Sequence, residues 1–311
     1  MIYFLLLYII PNSITDYIDT IYCGDFNYMS QENAMILYQG KAIVFSLNVQ
    51  HTRLPSDTTQ LWIQDGLSTS DTTLIICQGG PKKEITYQKR GRTIYRYMPN
   101  YKNYKKLFLH QSQTFNPKLY EHRFTYAMAE KEVEVTSEML KRAIIYEKKR
   151  GKTVIVIGHS YGAYIIVNYL SNYTSLANKY IIMAGRIDET PEMFQQHYKG
   201  LNGYFLSDGL TFVPEEMPNT KKSEEYRIEF RVKQLLKAAI GKPRYSVRLK
   251  DKDLSNVVYI YATNDIAVGR LTSDEILFLK SKNALVYQTS DGHSETIKRF
   301  IDYLYEGKII L

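Results

Sequence analysis

The chain has 311 residues, 44% of them apolar, enough to bury a large core as one α/β domain or a domain with an insertion. Lys and Arg number 40 against 32 Asp and Glu, a net charge of +8, but the surplus is scattered in short clusters. Lys82-Lys83, Lys105-Lys106, Lys148-Lys149-Arg150 and Lys221-Lys222 read as solvated surface; with no basic patch or known module, no nucleic-acid partner is expected.

At the N-terminus, Met1–Ile10 (MIYFLLLYII) is too short to span a bilayer as a helix. It is similar to the apolar region of a signal peptide but lacks the basic segment in front. Residues 1–20 are therefore read as a signal or membrane-associating segment, with a buried first strand as the alternative. On that reading a secreted or membrane-associated location is favoured over a cytoplasmic one. Peripheral contact with anionic membranes stays open. Cys23 follows bulky Tyr22, which argues against a lipoprotein cleavage site. Cys23 and Cys77 make neither a disulfide framework nor a metal motif.

Strands are expected at Lys41–Val49 and Gln60–Gln64, and a β-branched strand at Thr72–Pro81 (TTLIICQGGP) ends in Gln78-Gly79-Gly80-Pro81. Cys77 reads as a small core residue. Ile94–Met98 and Lys106–His110 are further strand candidates, the second running into a loop, Gln111–Asn116. Phe124–Lys149 has the apolar spacing of a helix packed on a sheet, stopped by Gly151.

The most informative stretch is Thr153–Leu170, TVIVIGHSYGAYIIVNYL. A strand fit for burial on both faces runs into Gly158-His159-Ser160-Tyr161-Gly162 and then into an apolar helix. Glycines two positions either side of Ser160 stand where strand and helix crowd together. Lys179–Ala184 is another buried strand. From Arg186 to Asp253 the pattern changes, with Pro191, Pro214, Pro218 and Pro243 and a basic amphipathic run, Tyr226–Ala239. Val257–Ala262 delivers Asp265 at its carboxyl end, and Ala284–Thr289 is followed by Asp291-Gly292-His293 and a helix from Ser294 to about Tyr305.

Strand, sharp turn and helix around G-x-S-x-G form a nucleophile elbow, and the chain resembles the α/β-hydrolase superfamily. The resemblance implies a mostly parallel central sheet with helices on both faces. Residues 41–185 and 254–311 would form that core, and residues 186–253 a helical cap or lid. It implies Ser160 as nucleophile, His293 as general base and Asp265 as the acid that orients it, in the chain order that superfamily uses. Asp188 is the rival acid; Asp291 lies too close to His293 along the loop. The backbone N–H groups of Tyr161 and Gly80 would receive the oxyanion, with Gly79 shaping the loop. Gln78 departs from the family, where His is common, and Gln111–Asn116 lacks the Asp-x-x-Gly-x-Gly loop of many relatives. No metal or organic cofactor is implied. The expected activity is hydrolysis of an ester, on a small-molecule or lipid acyl substrate, by a carboxylesterase or lipase-like enzyme. A proline-iminopeptidase type of peptidase, a thioesterase or acyltransferase, and a non-catalytic binding module are the alternatives. Oligomeric state is not legible.

Overall fold

A run of β-branched residues in an extended chain offers two apolar faces, and the five central strands of this protein use both. The computed structural model describes residues 33–38, 41–46, 51–85, 94–120, 124–215 and 223–311. The chain divides into two units, Met1–Gln50 and His51–Leu311. In the first, β1 (Asn33–Tyr38) and β2 (Lys41–Ser46) pair as an antiparallel hairpin. The strand expected at Lys41–Val49 thus exists, but its hydrogen-bonded partner is β1 and it has no place in the main sheet. The apolar segment Met1–Ile10 lies outside the described residues.

In the second unit, β3 (Trp62–Gly66), β4 (Thr72–Cys77), β5 (Lys105–Leu109), β6 (Thr153–His159), β7 (Lys179–Met183), β10 (Val257–Ala262) and β11 (Leu285–Thr289) form one sheet. Its order is β11-β10-β7-β6-β4-β5-β3, parallel throughout except for β3, which runs antiparallel to β5 at the edge. A short hairpin, β8 (Gly203–Phe205) and β9 (Phe212–Pro214), stands apart from it. The helices are α1 (Ser112–Phe115), α2 (Tyr126–Lys149), α3 (Tyr161–Asn172), α4 (Pro191–Tyr198), α5 (Glu224–Gly241), α6 (Tyr245–Arg248), α7 (Ser273–Ser281) and α8 (Glu295–Tyr305).

Alternation sorts the strand side chains. Ile75, Leu107, Val156, Ile182 and Tyr259 join a core with α2, α3, α5 and α7. Their neighbours Ile76, Phe108, Ile157, Met183 and Ile260 join a second core with Phe300 and Ile301 of α8. Cys77 is buried in the first core, as a small apolar residue would be. Helix α2 begins at Thr125, whose side chain accepts from the Met128 N–H, and ends before Gly151, whose φ of +73° suits glycine. Among the described residues no helix is long and apolar enough to cross a membrane.

Two expectations need correction. Ile94–Tyr97 is a 3₁₀ helix and not a strand. Tyr95 and Met98, three residues apart, fall on one face of that tighter helix and both are buried, while Tyr97 is exposed. Lys105 and Lys106 are also not solvated surface: they are 3% and 2% exposed. Lys105 Nζ sits 2.6 Å from Glu147 Oε1, and Thr73 donates to the other carboxylate oxygen at 2.8 Å. The pair therefore ties β4, β5 and the last turn of α2 together. Lys106 donates to the Tyr101 carbonyl and lies over the Tyr101 ring.

Breaking a buried pair strands the remaining charge. Glu147→Gln is expected to cost about 3–5 kcal/mol of unfolding free energy, read from denaturant melts, whereas Glu138→Gln in the half-exposed pair with Arg142 should cost under about 1 kcal/mol.

Candidate active site

The backbone at the tip of the elbow decides the position of Ser160. Its φ of 57° and ψ of −123° lie where a residue with a Cβ is strained by about 1–3 kcal/mol. The Ser160 N–H donates to the Met183 carbonyl at 2.9 Å, and its own carbonyl takes the Ala163 N–H at 2.8 Å, so both sides of the turn are pinned. Strand β6 and helix α3 cross with no room to spare. A Cβ on Gly158 would stand 2.4 Å from the Gly162 carbonyl oxygen, and one on Gly162 would stand 2.0 Å from that of Cys77. The Tyr161 N–H is the first of helix α3, at the positive end of its dipole.

The loop after β4 lies against this tip. A Cβ on Gly79 would fall 3.3 Å from Ser160 Cβ, so that glycine faces the serine directly. Gly80 is flanked by Lys82 and by Gln111 Oε1. Its N–H has no hydrogen-bond acceptor among the described residues. Gln111 holds the loop from beneath: fully buried, it donates from Nε2 to the Gln78 carbonyl at 2.7 Å and accepts from Gln113. Gln111–Asn116 is thus a single helical turn, α1, bracing the glycines. Gln78 itself reaches outward to the Glu84 carbonyl at 2.9 Å.

At the neighbouring strand ends, Asp265 and His293 meet. His293 Nδ1 lies 2.7 Å from Asp265 Oδ2, and the carboxylate is 1% exposed. Its other oxygen accepts the N–H groups of Ala267 and Val268 at 2.9 and 3.0 Å, so the aspartate is fully bonded and fixed. Against a carboxylate the imidazole carries its proton on Nδ1, leaving Nε2 as the basic nitrogen. The rival acids are engaged elsewhere. Asp188 accepts from the Ser246 N–H and hydroxyl and faces Arg244, and Asp291 accepts from Thr289 and Arg299. The Ser160 hydroxyl makes no hydrogen bond among the described residues, to His293 or to any other group.

His159, next to the serine, joins the two halves. Its Nε2 donates to the His293 carbonyl at 2.9 Å, and the two rings lie 4.8 Å apart. Burial, reinforced by the neighbouring His293, pulls its pKa down to about 4. Thr296 donates its hydroxyl to the same carbonyl at 2.9 Å. Ser294 stands at the N-cap of α8, outside the helix expected to start there, and its side chain makes no capping bond. Sequence reasoning assigned no role to His159 or Gln111. The one readable hint was their place, inside the elbow and directly after a strand end.

The β8–β9 hairpin reaches the loop that carries Asp265. Phe205 donates its N–H to the Ile266 carbonyl at 2.9 Å, and Arg270 donates its own to Gly209 at 2.8 Å. Leu206, Leu210 and Ile266 are exposed at 43%, 40% and 55%.

Two outcomes follow from the site's backbone and from His159. Ser160→Gly is expected to raise stability by about 1 kcal/mol over Ser160→Ala in paired thermal melts, because only glycine relieves the positive φ. His159 stays neutral in the folded protein while the unfolded chain gains its proton near pH 6.5. Stability should therefore fall as pH drops from about 6.5 towards 4, by roughly 3 kcal/mol in all, and His159→Gln should flatten that part of the profile.

No protein-family model matches the sequence, and no curated protein matches it. Solved structures do. A lipase-esterase related protein from Clostridium acetobutylicum ATCC 824 superposes with a TM-score of 0.50 at 14% identity, covering 79% of this chain and 97% of its own. A putative non-heme bromoperoxidase, BpoC, from Mycobacterium tuberculosis H37Rv superposes with a TM-score of 0.50 at 10% identity, covering 86% and 100%. With a mostly parallel sheet, helices on both faces and a strand–turn–helix elbow at the sheet's centre, the chain has the α/β-hydrolase fold.

Proposed function

We propose that the chain is a serine hydrolase that cleaves an ester through an acyl-enzyme on Ser160. The observation that carries this reading is the part-buried Asp265–His293 hydrogen bond, formed across 28 residues beside the strained turn that carries Ser160. His293 Nε2 takes the hydroxyl proton as Ser160 Oγ attacks the carbonyl carbon. Asp265 holds the tautomer and stabilises the imidazolium. The oxyanion is received by the Tyr161 and Gly80 N–H groups, with Gly79 keeping side chains out of its way; each donor is worth up to about 3–4 kcal/mol of barrier. His293 then protonates the leaving alcohol. Water, deprotonated by the same imidazole, attacks the acyl-serine and restores the enzyme.

The Ser160–His293 hydrogen bond forms on substrate binding in this scheme, since such bonds tighten in the loaded state. His159, bonded to the His293 carbonyl, keeps the histidine loop beside the elbow meanwhile. Residues 186–253 act as a cap over the site, their hairpin resting on the Asp265 loop. The exposed Leu206, Leu210 and Ile266 beside that loop favour an apolar acyl group. One structural neighbour is described as lipase-esterase related and the other as a bromoperoxidase. Fold alone therefore does not choose the chemistry, and the site must.

A fluorophosphonate probe is expected to label the protein at Ser160, located by peptide mass spectrometry, and to leave Ser160→Ala unlabelled. Nitrophenyl esters should be turned over, with kcat/KM falling about 10³-fold or more in Ser160→Ala and in His293→Asn. Absence of labelling would point to a binding module. Faster cleavage of aminoacyl amides than of esters would point to a peptidase.

A further inference from the structure

We propose that a cavity of about 670 Å³, apart from the Ser160 site, binds an organic cation: an ammonium group on an apolar body. It lies between the loop after β7, the start of α4, the turn that follows α5 and the start of α7, and no residue assigned a catalytic role above lines it. The inference is independent of the proposed hydrolysis.

The cavity's charges point to the ligand. Arg186 donates to Glu275 at 3.0 Å, Lys242 to Glu130 at 2.7 Å, and Arg244 stands 3.6 Å from Asp188. Glu275 is saturated, for it also takes the N–H groups of Ile187, Asp188 and Thr272. Every cation of the wall thus already has its carboxylate. Glu189 does not share in this. Its side chain is 2% exposed, it receives no hydrogen bond among the described residues, and no Lys or Arg among them comes within 4.0 Å. The basic nitrogen within that distance among the described residues is His197 Nδ1 at 3.7 Å, itself without a hydrogen bond. Behind it, Lys237 donates to Asn202 Oδ1 at 3.1 Å, and Glu189 attracts its ammonium from beyond hydrogen-bond reach. A buried carboxylate that receives no hydrogen bond is incompletely compensated for its desolvation, and a donor entering the cavity would relieve it.

The wall is shaped for that carboxylate. A Cβ on Gly241 would stand 2.0 Å from the Glu189 carboxyl carbon, so only glycine leaves it room there. Asp274, exposed at the cavity, has no partner among the described residues and adds a second negative charge. Phe194 and Phe278 supply aromatic surface of the kind that accepts an ammonium on its face. Against this stands Arg186 Nε, buried and unpartnered, which would favour an anion instead.

Calorimetric titration of the full-length Ser160→Ala chain at pH 7 with benzylammonium, benzyl alcohol and benzoate separates these outcomes. Benzylammonium is expected to bind saturably. Benzyl alcohol should bind it about tenfold more weakly, as should benzylammonium to Glu189→Gln. Asp274→Asn, at an exposed position that cannot unsettle the fold, should weaken benzylammonium about threefold and decides the matter if Glu189→Gln does not fold. Benzoate binding as well as benzylammonium, undiminished binding to a folded Glu189→Gln, or no saturable heat up to millimolar ligand would each overturn the proposal.

Discussion

The contact on which the rest of this site depends is between two backbones. Strand β6 and helix α3 approach so closely that Gly158 and Gly162 have each other and Cys77 where side chains would be. That approach forces the turn between them into a conformation a serine does not choose, and hydrogen bonds from Ser160 to Met183 and from Ala163 to Ser160 keep it there. Stability given up at one residue is recovered from the packing of β6 and α3, whose side chains are almost wholly buried. A rigid core is therefore the condition for holding Ser160 in that turn.

Three buried acids are arranged in the same way, each held by several donors. Asp265 accepts two backbone N–H groups and one imidazole; Glu147 accepts a lysine and a threonine; Glu275 accepts an arginine and three backbone N–H groups. Each acid joins segments far apart in the chain, and each would be costly to leave half-paired. Glu132 Oε2 and Arg186 Nε are buried without a partner, but each of those side chains keeps another hydrogen bond, whereas the Glu189 carboxylate receives none among the described residues.

What was legible in the sequence follows burial. β4, β6, β7 and β10 were readable because strands covered on both faces leave long β-branched runs, and α2 because one face of it meets the sheet. Ile94–Tyr97 misled because a short aromatic run looks alike in a strand and in a 3₁₀ helix; only the spacing of Tyr95 and Met98 told them apart. Lys41–Ser46 was visible as a strand, but its pairing partner, β1, was not, since pairing is a property of two segments. Lys105 and Lys106 read as surface because single-residue hydrophobicity takes no account of a glutamate 42 positions from Lys105 or of the Tyr101 carbonyl and ring that receive Lys106. The chain order of Ser160, Asp265 and His293 could be read, with Asp188 as the rival to Asp265, whereas the hydrogen bonds that occupy each aspartate could not.

Residues 203–214 are linked to the sheet through the loop that carries Asp265. Hairpin β8–β9 donates to and accepts from the segment between Ile266 and Arg270, so the loop that fixes Asp265 is continuous with residues 203–214. Gly269 and Gly209 pack backbone against backbone there, both at positive φ, which leaves little slack in the joint. A rearrangement of the hairpin would therefore pull on the backbone N–H groups that hold the aspartate, and through it on the orientation of His293. In such a joint, whatever moves residues 203–214 also acts on the Asp265–His293 pair.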